Sequence, residues 1–109
     1  MINEIVRTCI KACTDCATAC DHCASACLSE PDLRMLKDCI RLDRDCAEAC
    51  RLAASWMARS GRYSAELCAL CEKICRACAM ACSQHEADPF QACAKACKLC
   101  ADECGRMAA

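Results

Sequence analysis

From Cys9 onward the chain sets six cysteines, Cys9, Cys13, Cys16, Cys20, Cys23 and Cys27, at steps of four, three, four, three and four. That is the rhythm of an α-helix. Residues three and four apart share one face, so the thiols fall on a single stripe. The stepping recurs in Cys68, Cys71, Cys75, Cys78 and Cys82, and again in Cys93, Cys97, Cys100 and Cys104. Cys39, Cys46 and Cys50 form a sparser row between them. In a helical bundle such a stripe is the seam that faces partner helices, and it is ordinarily leucine. Here the seams are sulfur, so the core itself must be built from thiols.

Punctuation divides the chain into four helical segments. The first runs from about Asn3 to Leu28. Ser29-Glu30-Pro31-Asp32 breaks it, with Ser29 and Asp32 at capping-box spacing, and a second segment runs from about Pro31 to Arg59. Ser60-Gly61 ends that segment, because glycine tolerates the left-handed conformation that closes helices. Ser64 is placed to cap a third segment, from about Ala65 to Gln84. Asp88-Pro89-Phe90-Gln91 opens the fourth, with an acid at the N-cap, proline at the first helical position and glutamine three residues after the cap. This segment ends near Gly105-Arg106-Met107. Connections this short make consecutive helices antiparallel neighbours. The expected fold class is all-α, an antiparallel up-down-up-down four-helix bundle with a cysteine-lined core, as one domain over residues 1–109. Alanines beside the seams, Ala12, Ala17, Ala19, Ala24, Ala26, Ala47, Ala49, Ala79 and Ala81, are expected to allow close helix approach. Leu33, Ile40, Leu70 and Ile74 are expected to add apolar packing beside the thiols.

Composition excludes several functions. With 14 basic and 15 acidic residues interspersed, no basic stripe for nucleic acid appears. No run approaches the roughly 18 apolar residues of a membrane span. The opening MINEIVRTCIKACTD is interrupted by Glu4, Arg7, Lys11 and Asp15, unlike the apolar stretch of an export signal. A cytosolic location is therefore expected, where thiols stay reduced or are occupied by metal. No nucleophile–base pair or phosphate loop stands out, so no enzyme is expected.

Eighteen thiols on helical stripes admit several chemistries. Disulfides within a helix are strained, and many bridges between helices do not suit a reducing compartment. Structural zinc wants four ligands in a tetrahedron, and these rows read as continuous instead of grouped in fours. Each such zinc site also leaves net negative charge in a core that excludes water. Iron–sulfur sites draw on loops of closely spaced cysteines and a remote fourth ligand. Cu(I) suits the rows better, being soft, monovalent and selective for thiolates. Cysteines at i and i+4 lie one turn apart, about 6 Å in rise, and side-chain rotation brings two sulfurs to one ion. If each thiolate bridges two ions, capacity is roughly 18, one per cysteine, and the core is neutral. Cysteine also packs as a small hydrophobe, a reading that fits one buried thiol better than a full set of seams. The alternative function is a metallothionein-like zinc and copper sink, or a thiol redox buffer.

Through these Cys-x-x-x-Cys and Cys-x-x-Cys ladders on four segments, nearly the whole chain resembles the bacterial copper storage proteins, in particular their cytosolic branch. The resemblance implies an antiparallel bundle that stores and buffers many Cu(I) ions. It also implies a homotetramer of bundles and binding mainly by Cys-x-x-x-Cys pairs within single helices. Here those pairs are Cys9/Cys13, Cys16/Cys20, Cys23/Cys27, Cys46/Cys50, Cys71/Cys75, Cys78/Cys82, Cys93/Cys97 and Cys100/Cys104. A copper chaperone that donates or accepts the metal is the protein partner such a function calls for.

Other residues continue the seams. His85 is the next step of three after Cys82 and is a candidate copper ligand at a helix end, the alternative being an exposed loop histidine. His22 lies beside its seam and reads as a surface residue. Asp43 fills the place between Cys39 and Cys46, as a metal ligand or a polar partner for a thiol, unless the helix rotates it to solvent. Met57 and Met107 extend two seams at the other end, either as thioether ligands for Cu(I) or, as the favoured reading, as part of an apolar plug with Ile2, Val6, Trp56 and Tyr63. The copper mouth is expected at the end holding Cys27, Met35, Cys82, His85 and Cys93.

Overall fold

A computed structural model describes residues 2–109. Four α-helices follow in order: α1 over Glu4–Cys27, α2 over Lys37–Ala58, α3 over Ser64–Ser83 and α4 over Asp88–Ala108. A 3-10 helix over Leu33–Leu36 precedes α2. Each helix packs on the next, and α4 closes back on α1. The result is a rod of 47 × 18 × 18 Å. Cys9 near the start of α1 meets Cys104 near the end of α4, and Cys68 near the start of α3 meets Met57 at the end of α2. Neighbouring helices are therefore antiparallel, as expected.

The helix ends differ in detail from the sequence expectation. Asn3 caps α1, its Oδ1 accepting from Val6 N at 2.9 Å. The second segment does not begin as α-helix at Pro31. Asp32 Oδ1 accepts from Arg34 N two residues on, which tightens the chain into the 3-10 turn. That turn buries Leu36 and leaves Met35 71% exposed, so Met35 does not reach the core. Ser64 is the first residue of α3 and not its cap, because its Oγ donates to Gly61 O at 2.8 Å. At α4 the cap position falls on Ala87, and Gln91 Nε2 donates to His85 O instead of closing a capping box.

The stop after α2 is a Schellman motif with its roles displaced by one residue. Gly61 N donates to Trp56 O and Ser60 N donates to Met57 O. The left-handed residue is Ser60, with φ of 56°, and not Gly61. Gly61 instead relieves crowding: a Cβ there would sit a tight 3.1 Å from Trp56 O. α4 runs through Gly105 to Ala108, one residue past the expected end near Gly105-Arg106-Met107.

The core is mainly sulfur. All of the cysteines are buried, with Ala12, Ala17, Ala24, Ala47, Ala53 and Ala101 closing the gaps between helices. Ile40 and Ile74 pack against the core, but Leu33 and Leu70 stand exposed on the surface. Leu36, Phe90 and Met57 supply the large buried apolar groups instead. The plug expected around Met57 is incomplete, since Tyr63 is 57% exposed. Ile2, Val6 and Met107 there line a cleft of about 310 Å³. No helix among the described residues is long and apolar enough to cross a membrane.

Candidate metal centre

Steps of three and four hold each cysteine on the stripe that faces the bundle axis. All 18 are free thiols, and all are buried. Near the middle of the rod, Cys16 of α1 lies 3.7 Å from Cys46 of α2 and 3.6 Å from Cys97 of α4. Cys46 in turn lies 3.5 Å from Cys75 of α3. Toward one end Cys13 meets Cys100 at 3.6 Å, and toward the other Cys39 meets Cys82 at 3.3 Å. The i, i+4 pairs are no tighter: Cys16/Cys20 and Cys46/Cys50 stand at 4.0 Å, and Cys71/Cys75, Cys93/Cys97 and Cys100/Cys104 at 3.9 Å. Separations across helices are as short as those along a helix, so most of the metal-free thiols form one net, which the Asp43 carboxyl extends to Cys39 and Cys82.

The net contains quartets, contrary to the expectation that the rows are not grouped in fours. Cys13, Cys71, Cys100 and Cys104 lie within 4.8 Å of one another, as do Cys50, Cys71, Cys75 and Cys100. So do Cys16, Cys46, Cys50 and Cys75, and Cys16, Cys20, Cys46 and Cys97. The quartets share members. Shared thiolates suit ions bridged by common ligands, whereas isolated tetrahedral sites each need four of their own.

Asp43 is the one charged side chain buried in the core among the described residues. Its Oδ1 accepts from Cys78 and Cys93 at 3.2 Å and from Cys82 at 3.5 Å. Its Oδ2 accepts from Cys39 at 3.9 Å. Thiols from α2, α3 and α4 thus replace the water that burial removes. Burial, with the neighbouring Cys93 charge adding to it, pushes the carboxyl up to about 8. Rotation of Asp43 to solvent does not occur. Burial also pushes the Cys27 thiol up to about 12, with Cys39 adding to it. A proton must leave such a thiol before a soft metal binds, which links uptake to pH.

His85 lies two residues past the end of α3, its N–H donating to Cys82 O at 3.1 Å. Its half-buried ring packs on Phe90, with centroids 4.9 Å apart. His22 is exposed, as expected. Phe90 and Leu36, both buried, close the core at this end and were not anticipated there. The signal was present in the stepping. Phe90 is three residues before Cys93, and Leu36 is three before Cys39, so each extends its seam.

A helical bundle whose interior is a net of buried free thiols around a single carboxylate is a binder of soft metal ions. The particular family follows from comparison: the chain belongs to the copper storage proteins, whose family model matches residues 2–109. It is 50% identical over 101 residues to the "uncharacterized cysteine-rich protein YhjQ" of Bacillus subtilis, covering 93% of this chain and 94% of that protein. Among solved structures it is similar to the Cu(I)-bound copper storage protein BsCsp3, with TM-score 0.92 and 48% identity, covering 97% of this chain and 100% of that one. It is equally similar in fold to a cytosolic copper storage protein from Streptomyces lividans studied in copper loading, with TM-score 0.92 and 36% identity, covering 96% of this chain and 92% of that one.

Proposed function

We propose that the bundle stores and buffers Cu(I) in the cytosol, held by all 18 core thiolates. The observation that carries this reading is the sharing of thiols between neighbouring quartets. Bridging thiolates give many ions few ligands each, and one monovalent ion per thiolate leaves a neutral interior. Asp43 serves as an oxygen ligand, or as the hydrogen-bonding partner that four neighbouring thiols share. His85 stands at the mouth, above Phe90, and receives copper on its way to Cys82. The single-domain bundle assembles as a homotetramer and exchanges copper with a chaperone. It has no catalytic role, because saturated thiolates leave no open position for a substrate. The cytosolic setting is supported by the Streptomyces lividans relative, which is described as cytosolic.

Circular dichroism and metal competition on reduced, metal-free protein test this reading. A helical apo spectrum, together with displacement of bound Zn(II) by Cu(I), is expected. A disordered apo chain that folds around zinc would instead make it a metallothionein-like sink.

A further inference from the structure

At the end of the bundle remote from His85, sulfur continues past the last thiols. Met57 lies seven residues after Cys50 on α2, and Met107 lies three after Cys104 on α4, so both extend cysteine seams. Met57 is only 2% exposed. Cys68 Sγ donates to its Sδ at 3.7 Å. That separation is the one found within the thiol net, where Cys50 and Cys71 also stand at 3.7 Å. On its far side Met57 borders the cleft of about 310 Å³, which Ile2, Val6, Ser60, Ser64 and Met107 also line. Cys68 neighbours Cys9 and Cys104, the thiols that close the net at this end.

We propose that Met57 and Cys68 form a thioether–thiolate Cu(I) site at the floor of this cleft, the terminal member of the copper array. The inference rests on the storage reading above. Soft sulfur donors of both kinds select Cu(I). One thiolate neutralises one monovalent ion and the thioether adds a donor without charge, so the site is neutral where burial demands it. A leucine at this position would fill the same volume. It would also leave the Cys68 thiol without its sulfur acceptor. The polar rim of Ser60 and Ser64 gives the cleft a wet side, from which an ion or a small Cu(I) complex reaches the thioether. The array thereby has an exchange point at the end opposite His85.

X-ray absorption at the selenium edge tests the site in full-length, selenomethionine-labelled protein loaded with Cu(I). Copper scattering around selenium is expected in the wild type. It should persist in a variant with Met35, Met80 and Met107 all changed to leucine, in which only Met1 and Met57 carry selenium, and should be lost in Met57→Leu. The triple variant keeps the test valid even if Met57→Leu fails to fold. Copper-loaded protein with no selenium–copper scattering, or a signal that disappears in the triple variant, would overturn the site while leaving storage intact. A sample that analysis shows to hold no copper would overturn the storage reading together with it.

Discussion

Asp43 Oδ1 and Cys93 Sγ stand 3.2 Å apart, joining the only buried carboxyl among the described residues to the first cysteine of α4. The same oxygen accepts from Cys78 and Cys82 of α3. A carboxyl in this position holds its proton to about pH 8, against 3.8 for an ordinary aspartate. Between those values the native apo-protein binds the proton and the unfolded chain does not. Stability contributed by the protonated form is therefore fully present at acid pH and is lost as pH rises toward 8. The slope from this one group reaches at most about 1.4 kcal/mol per pH unit. Asp43→Asn cannot titrate and should flatten that part of the profile. Urea midpoints of anaerobic, reduced apo-protein at several pH values in this window check it. Identical slopes for wild type and variant would contradict the assignment.

Phe90 fills the end of the core beneath the His85 ring. Phe90→Ala should destabilise the apo-protein by about 3–5 kcal/mol through the lost burial and the cavity left behind. It should also speed removal of bound Cu(I) by an external chelator, since it uncovers the last thiols. Denaturant unfolding and stopped-flow chelation measure the two effects separately. Release no faster than wild type from a folded variant would mean that copper leaves elsewhere.

If the imidazole receives ions without belonging to the thiol net, as proposed, His85→Ala should slow Cu(I) loading and leave capacity unchanged. Loading followed at equal chelator-buffered Cu(I) provides the rate, and saturation provides the capacity. Equal rates for wild type and variant would remove His85 from the path.

The inward placement of all the cysteines and of Asp43 was legible because a helix repeats near 3.6 residues, and steps of three and four hold one face. The spacing of His85 from Cys82 likewise placed it at a helix end. What failed were features that depend on neighbouring backbone. Asp32 draws the chain into a 3-10 turn, which exchanges the places of Met35 and Leu36. The left-handed residue after α2 is Ser60, one position before the glycine that Trp56 O passes closely. Contacts across helices, such as Cys39 with Cys82 at 3.3 Å, depend on the relative register of two helices. Spacing along one helix carries no record of that register, so the quartets could not be read from it.

The central claim is that the core holds copper in numbers set by its thiols. Titrating reduced, metal-free protein with Cu(I) against a chromogenic chelator tests it most directly. The chelator should stay uncoloured until roughly 18 equivalents have been added, about one per thiolate. Chelator colour after only a few equivalents would contradict it.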